Sequence, residues 1–313
     1  MRSNPASSIL APLATCVFVL ALAACGGGKE PPAAAAPAVA GPPPAPTIEQ
    51  LRAAAVSGVF EQTVTLAGGK YEGPPNEAGA ASRPGLVLWE PAVRFGDVDG
   101  AAGSEAVALL SASTGGSGEF VHVAVFGVRD GALANLGTAP LGDRTKVQSL
   151  WLEQGRIVMD VVEIGPGDAA CCPTQVARKT FGLEGGALKQ LSSEVRGVLA
   201  LSMLGANEWT LVEMDGQPLP AGVDPPLIHF ERDAVRGFAG CNRFNATVQE
   251  TKPGEIDIGP ATVTKMACPP PAMDLERTFL AQLDKVNRYS FLAGQLALGW
   301  QDGERNGTLL LRK

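Results

Sequence analysis

Four cysteines in the body of the chain, Cys171, Cys172, Cys241 and Cys268, carry the most versatile chemistry in the sequence. A thiolate is a nucleophile and a metal ligand, and two neighbouring thiols oxidise to a disulfide. Structural zinc wants C-x-x-C-type spacing, which these residues lack. In an oxidising compartment an even count argues for disulfides, with three connectivities formally open. Pairing Cys241 with Cys268 would close a loop of about 27 residues and contribute roughly 3–4 kcal/mol in the chain-entropy model. The alternative is two buried free thiols. Cys171 and Cys172 are expected to hold a turn as a structural disulfide. Strand neighbours face opposite ways, so other partners, or one thiol inside and one outside, remain open for them. A thiol-disulfide or hydrolytic enzyme using Cys171 or Cys172 is the rival from another class, and it requires an exposed thiol of depressed pKa.

Other residue types offer less. Asp97-Val98-Asp99-Gly100 opens like a calcium loop, because hard cations want several carboxylate oxygens on a tight turn. The third ligand position is Ala101 and the glycine falls early, so Glu105 is the one further donor and a plain acidic turn is the expectation. We therefore assign no metal. The two histidines, His122 and His229, each sit inside a strand-like run, without the nucleophile and orienting group that a general base needs. His229 lies between Ile228 and Phe230 and is expected to face away from them. Gly115-Gly116-Ser117-Gly118 shares only its glycine content with a phosphate loop, so a hairpin loop is expected there. No residue is assigned as catalytic and no cofactor is expected.

Cys16 and Cys25 belong to a different context. Arg2 precedes an apolar run from Ile9 to Leu22, too short to span a bilayer stably and suited to the core of a signal peptide. The run ends in Leu22-Ala23-Ala24-Cys25, which resembles a lipobox. Residues 1–24 then read as a lipoprotein signal peptide and Cys25 as the lipidated first residue of the mature chain. Several acyl chains anchor firmly, since each buried methylene adds roughly 0.8 kcal/mol. Gly26, where inner-membrane lipoproteins often carry Asp, favours the outer membrane, facing the periplasm. From Gly26 to Pro46 the sequence is nearly all Gly, Ala and Pro, so residues 25–46 form a tether able to reach on the order of 50 Å at ~3.1 Å per residue. A net charge of -7 with a pI near 5.0 gives no basic surface for displacing counterions from phosphates, which argues against nucleic acid as a partner.

The elements that position these residues are short. The 38 Gly and 25 Pro point to many turns and disfavour an all-helical fold. Thr47 to Val56 reads as a short helix capped by Thr47, with Glu49 in its first turn. Residues 47–198 read as a β-rich domain of unknown function: Glu105 to Ser111 and Phe120 to Val128 are strand-length runs, Asp130-Gly131 and Gly185-Gly186 mark turns, and Gln154-Gly155 centres a hairpin. Gly197 to Asn207 is a join that could form a short helix. In residues 207–313, strand-like runs at Trp209 to Glu213, Leu227 to Phe230 and Ala234 to Phe238 precede a helix over Met273 to Tyr289. Leu275, Phe279, Leu283 and Val286 supply its apolar face. Leu296, Leu298 and Trp300 alternate as a strand, and Thr308 to Leu311 makes the last. The fold class is α+β, mainly β: two β-rich domains, the C-terminal one a curled antiparallel sheet of about six strands with one amphipathic helix.

Trp209-Thr210-Leu211 with Gly216, then Gly237-Phe238-Ala239-Gly240-Cys241-Asn242-Arg243-Phe244, Thr262 to Cys268 with Met266, Glu276, Tyr289 and Leu296-Ala297-Leu298 resemble the META (HslJ-like) domain family in order and spacing. The resemblance covers about a third of the chain. It departs at Asn245-Ala246-Thr247. It implies a one-helix β-rich fold and an envelope location, with links to stress tolerance, drug resistance or motility and no established catalytic residues. The middle region, with Gly96 to Gly100, Leu141-Gly142-Asp143-Arg144 and Cys171-Cys172-Pro173-Thr174, looks like an uncharacterised module that accompanies bacterial envelope domains. The expectation is a non-enzymatic envelope lipoprotein that binds or protects an envelope protein or polymer, held to the membrane through its lipid.

Overall fold

The computed structural model describes residues 42–313 apart from 78 and 80. The expected signal peptide, Cys25 and most of the tether lie outside the described residues. Pro42–Lys313 form one compact unit. It opens with a short helix, α1 (Ile48–Arg52), closed by a reciprocal capping box between Thr47 and Gln50. A two-stranded ribbon follows, β1 (Ala55–Val56) and β2 (Val64–Thr65).

Strands β3 (Lys70–Glu72), β4 (Gly85–Gly96), β5 (Glu105–Ser113), β6 (Phe120–Arg129) and β7 (Ala132–Asp143) form a five-stranded antiparallel sheet in sequence order. Strands β8 (Lys146–Glu153), β9 (Arg156–Glu163), β10 (Gln175–Glu184) and β11 (Ala187–Val198) form a second sheet of four. Side chains of both sheets share one core, with Val107, Leu109 and Val123 meeting Ile157, Met159 and Phe181. The other face of β4 to β6 is buried as well, because Leu51, Val56 and Leu66 cover Leu88, Ala108, Leu110 and Phe126. That double burial is why β5 and β6 read as continuous apolar runs and not as alternating ones.

The third sheet holds ten strands: β12 (Glu208–Met214), β13 (Gln217–Pro218), β14 (Leu227–Phe230), β15 (Ala234–Phe238), β16 (Arg243–Lys252), β17 (Glu255–Ile258), β18 (Thr262–Val263), β19 (Val286–Leu292), β20 (Gln295–Asp302) and β21 (Arg305–Arg312). Its first long strand pairs with β14 on one side and β21 on the other, so the sheet closes on itself. Helix α2 (Pro270–Leu283) lays Leu275, Phe279 and Leu283 on the core, and Phe279 meets Phe244 edge-on with ring centroids 5.8 Å apart.

Three expectations differ from the structure: the first helix ends at Arg52 and not at Val56, because Ala55–Val56 pair with Val64–Thr65, and the other two differences lie in the third sheet. The strand number exceeds six because β16 and β17 alternate apolar with polar residues, burying Phe244, Ala246, Val248, Ile256 and Ile258. The helix spans Pro270–Leu283 and not Met273 to Tyr289. It begins earlier because Pro270 and Pro271 suit a first turn, where their missing N–H groups would be unpaired anyway. It ends earlier because Val286 starts β19. Val286 lies three residues past Leu283 and so continues the helical spacing, although it begins a strand, in which a bulge puts both Val286 and Tyr289 on the buried face.

The two β-rich parts share a fixed joint. Leu199 N donates to Thr174 O (2.7 Å), and a 3₁₀ turn at Leu201–Leu204 buries Leu201 and Leu204. Val162 and Val176, at the facing ends of β9 and β10, join the same core as Trp209 and Phe291. In return the β19–β20 hairpin inserts its tip: Ala293 is buried in the core of the first two sheets and Gly294 N donates to Val147 O (2.9 Å).

Candidate functional site

Part of the family-like set, Cys241, Thr264, Met266 and Glu276, gathers around Asn242, which is buried at the turn from β15 into β16. Gly240 enters that turn at a φ of +105°, a conformation that L side chains rarely adopt, and a Cβ there would sit 3.3 Å from Leu275. The Asn242 Oδ1 accepts from Met266 N (2.7 Å) and Thr264 Oγ1 (2.9 Å). Its Nδ2 donates to Met266 O (3.2 Å), Glu276 Oε1 (3.2 Å) and Cys241 Sγ (3.3 Å). Glu276 Oε2 also accepts from the Asn242 backbone N–H (2.6 Å), so one carboxylate on α2 grips the residue twice. Cys241 and Cys268 stand at disulfide distance, with Cα atoms 6.0 Å apart. Asn242 therefore ties a hairpin turn, the 262–268 segment and α2 together, with its hydrogen-bonding capacity used up. Trp209 is buried, donates Nε1–H to Leu204 O (3.0 Å) and packs on Phe291. Met266, by contrast, is 60% exposed.

The remaining sequence candidates separate. Asp97, Asp99 and Glu105 do converge, their nearest carboxylate oxygens lying within 4.8 Å of one another. Their charge is answered from within the protein: Arg129 pairs with Asp99 and, at 3.4 Å, with the buried Glu105. Glu105 Oε2 accepts from Val98 N, Asp97 Oδ1 from Gly100 N and Asp99 Oδ1 from Ala101 N, as in an acidic turn. His122 is buried, and burial lowers its pKa, so it is neutral at pH 7. It lines a recess of about 250 Å³ with Phe60 and Phe120. His229 is exposed between the buried Ile228 and Phe230.

Cys171 and Cys172 lie at disulfide distance in an exposed loop between β9 and β10. Asp168, which the sequence did not single out, organises that loop. Its carboxylate accepts from Gly165 N (2.8 Å), Thr174 N (2.7 Å) and Thr174 Oγ1 (2.7 Å), and these bonds hold its pKa below the usual carboxylate value.

Sequence reasoning also missed a cleft of about 730 Å³ where the hairpin tip at Ala293 meets the first two sheets. Arg94, Trp151, Glu213, Gln295, Arg312 and Lys313 are among its lining residues. Arg178 lies over the Trp151 ring, 4.9 Å from its centroid, and is held by two bonds to Asp160 (2.8 and 2.9 Å). The lining cations come from β4 and the end of β21, more than two hundred residues apart in sequence, so no local motif announces them.

Comparison with known proteins bears on the C-terminal part alone. Residues 202–311 match the META domain model. The META match starts at Ser202, inside the 3₁₀ turn that packs on the closed sheet, and takes in Trp209, Gly240, Asn242, Met266 and both cysteines of the Cys241–Cys268 pair. A protein solved by NMR is 24% identical, covering 36% of this chain and 94% of its own, with a TM-score of 0.30. No curated protein matches the chain.

Proposed function

We propose that this chain is a non-enzymatic lipoprotein of the cell envelope, exported, lipidated on Cys25 and held at the outer membrane facing the periplasm. There its body binds or protects another envelope protein or polymer, with a role under stress. The observation that carries the reading is the order of parts: an apolar run ending in Leu22-Ala23-Ala24-Cys25, a Pro/Ala-rich tether, and then a compact body whose C-terminal part matches the META domain. The geometry around Asn242 supports it, since the family-like side chains there are spent on holding elements together.

The test is acyl labelling and fractionation of the wild-type chain and Cys25→Ala. The wild-type protein is expected in the membrane fraction carrying label. The variant is expected unlabelled, either soluble or unprocessed. Label on Cys25→Ala, or a wild-type chain that stays soluble, would overturn the anchoring. Crosslinking in intact envelopes followed by pull-down tests the binding half of the reading.

A further inference from the structure

The cleft at the joint has a charge that the rest of the molecule does not lead one to expect. The chain carries -7 overall, yet the side chains of Arg94, Arg312 and Lys313 line this cleft against one lining carboxylate side chain, Glu213. Among the described residues none of the three cations has a carboxylate within ion-pair distance. Arg94 spends Nη1 on the backbone carbonyls of Pro91 (3.1 Å) and Val93 (2.9 Å), and Lys313 Nζ stands 5.7 Å from the centroid of the Trp209 ring. The other arginines on strands of the first two sheets are paired: Arg129 with Asp99, Arg156 with Glu184, Arg178 with Asp160 and Arg196 with Glu194. Cations without a direct carboxylate partner, gathered in a concave site, focus their field on whatever anion enters it.

The rest of the lining is suited to a sugar. Trp151 offers an indole braced by Arg178 and Asp160, and aromatic rings accept the apolar face of a pyranose while side-chain amides such as Gln295 bond its hydroxyls. The volume falls within the about 300–1,000 Å³ typical of ligand sites. The walls are set before any ligand arrives, because Ala293 and Gly294 lock one β-rich part into the other.

We propose that this cleft binds a saccharide bearing carboxylate or phosphate groups, its anionic groups held by Arg94, Arg312 and Lys313 and a sugar ring set against Trp151. The proposal rests on the reading of the chain as an envelope-binding protein and names the ligand class and the site.

The purified mature protein in detergent is titrated calorimetrically with three probes: an oligogalacturonate, a phosphorylated mannooligosaccharide and neutral maltohexaose. Binding of either charged probe, with maltohexaose at least tenfold weaker, is expected, and the two charged arms separate carboxylate from phosphate recognition. The double variant Arg312→Gln, Lys313→Gln, changed at two exposed positions, should lose about tenfold or more in affinity, and raising salt from about 0.05 to about 0.5 M should weaken wild-type binding severalfold. Glu213→Gln should tighten binding, because it removes the one lining carboxylate side chain. Trp151→Ala should weaken it and Trp151→Phe should restore most of the loss, with urea midpoints of both variants matching wild type, a combination that unfolding would not produce. Equal affinity for maltohexaose, equal affinity for single-stranded DNA, or an unchanged double variant would each overturn the proposal. If the protein ignores all charged probes but is still crosslinked in envelopes, this site is wrong and the binding reading stands. If it does neither, both fail.

Discussion

Replacing Asn242 tests whether the family-like residues build the C-terminal part. Asn242→Ala deletes two bonds to Oδ1 and three from Nδ2, and leaves the Met266 amide, its carbonyl and Glu276 Oε1 each short of a partner. A neutral hydrogen bond contributes about 0.5–1.5 kcal/mol net, and water can reach the exposed Met266 segment, so the loss should be about 2–4 kcal/mol. For one cooperative unit of this size that is roughly 4–7 °C in Tm. Asn242→Asp is the sharper variant. It keeps the shape and both acceptors but removes the donors, setting a carboxylate beside Glu276 Oε1 and Met266 O. At pH 7 it should therefore be at least as unstable as Asn242→Ala, and it should recover as pH falls toward ~4, where carboxyls gain a donor proton. Urea unfolding at pH 7 and at lower pH, with wild type alongside, measures both. An Asn242→Asp protein as stable as wild type at pH 7 would refute the assigned role of Nδ2.

Three further outcomes follow from the geometry. Tyr289→Phe should cost about 1.5–3 kcal/mol, because the buried hydroxyl donates to Glu250 Oε1 (2.6 Å), which also takes the Leu201 N–H (3.0 Å). Burial raises the pKa of Tyr289, so the contribution is complete below the unfolded value of about 10 and is lost as pH rises through the folded one; urea midpoints across alkaline pH read it. Asp168 has the opposite sign: its pKa is depressed, so its bonds order the 164–174 loop above the ordinary Asp value and release it as pH falls through the lower folded value. The Thr174 amide resonance followed between pH 7 and acid should shift in wild type and lose that dependence in Asp168→Asn. Differential alkylation with peptide mass spectrometry should find Cys241 joined to Cys268 and closed to mild reductant without denaturant, and Cys241→Ala should lose roughly 3–4 kcal/mol. A Cys171 or Cys172 thiol that alkylates rapidly near neutral pH would instead favour the redox reading.

Much of the fold was legible because it depends on local pattern. The Gln154-Gly155 turn, with both residues at positive φ, joins β8 to β9 as its dipeptide announces, and β14 and β15 fall on the runs that carry their names in the sequence. What failed to show depends on partners distant in sequence. Ala293 takes the φ of 51° that its two-residue turn with Gly294 requires, and nothing local marks its burial in the neighbouring β-rich part. Val286, the first residue of a strand, falls by chance on the apolar spacing of the helix that ends at Leu283. Asp168 looks like any loop aspartate until its three donors are placed, and the cationic cleft exists only because Arg94 and Arg312 are brought to one joint.

We propose that this chain holds an envelope component without converting it. The most direct measurement incubates the purified protein with isolated envelope material, sediments the mixture, and compares the mass profile of the material before and after. Retention of the protein, weakened in the Arg312→Gln, Lys313→Gln variant, with an unchanged mass profile is the predicted result. New cleavage or thiol-exchange products that vanish on substitution of Cys171 or Cys172 would contradict it.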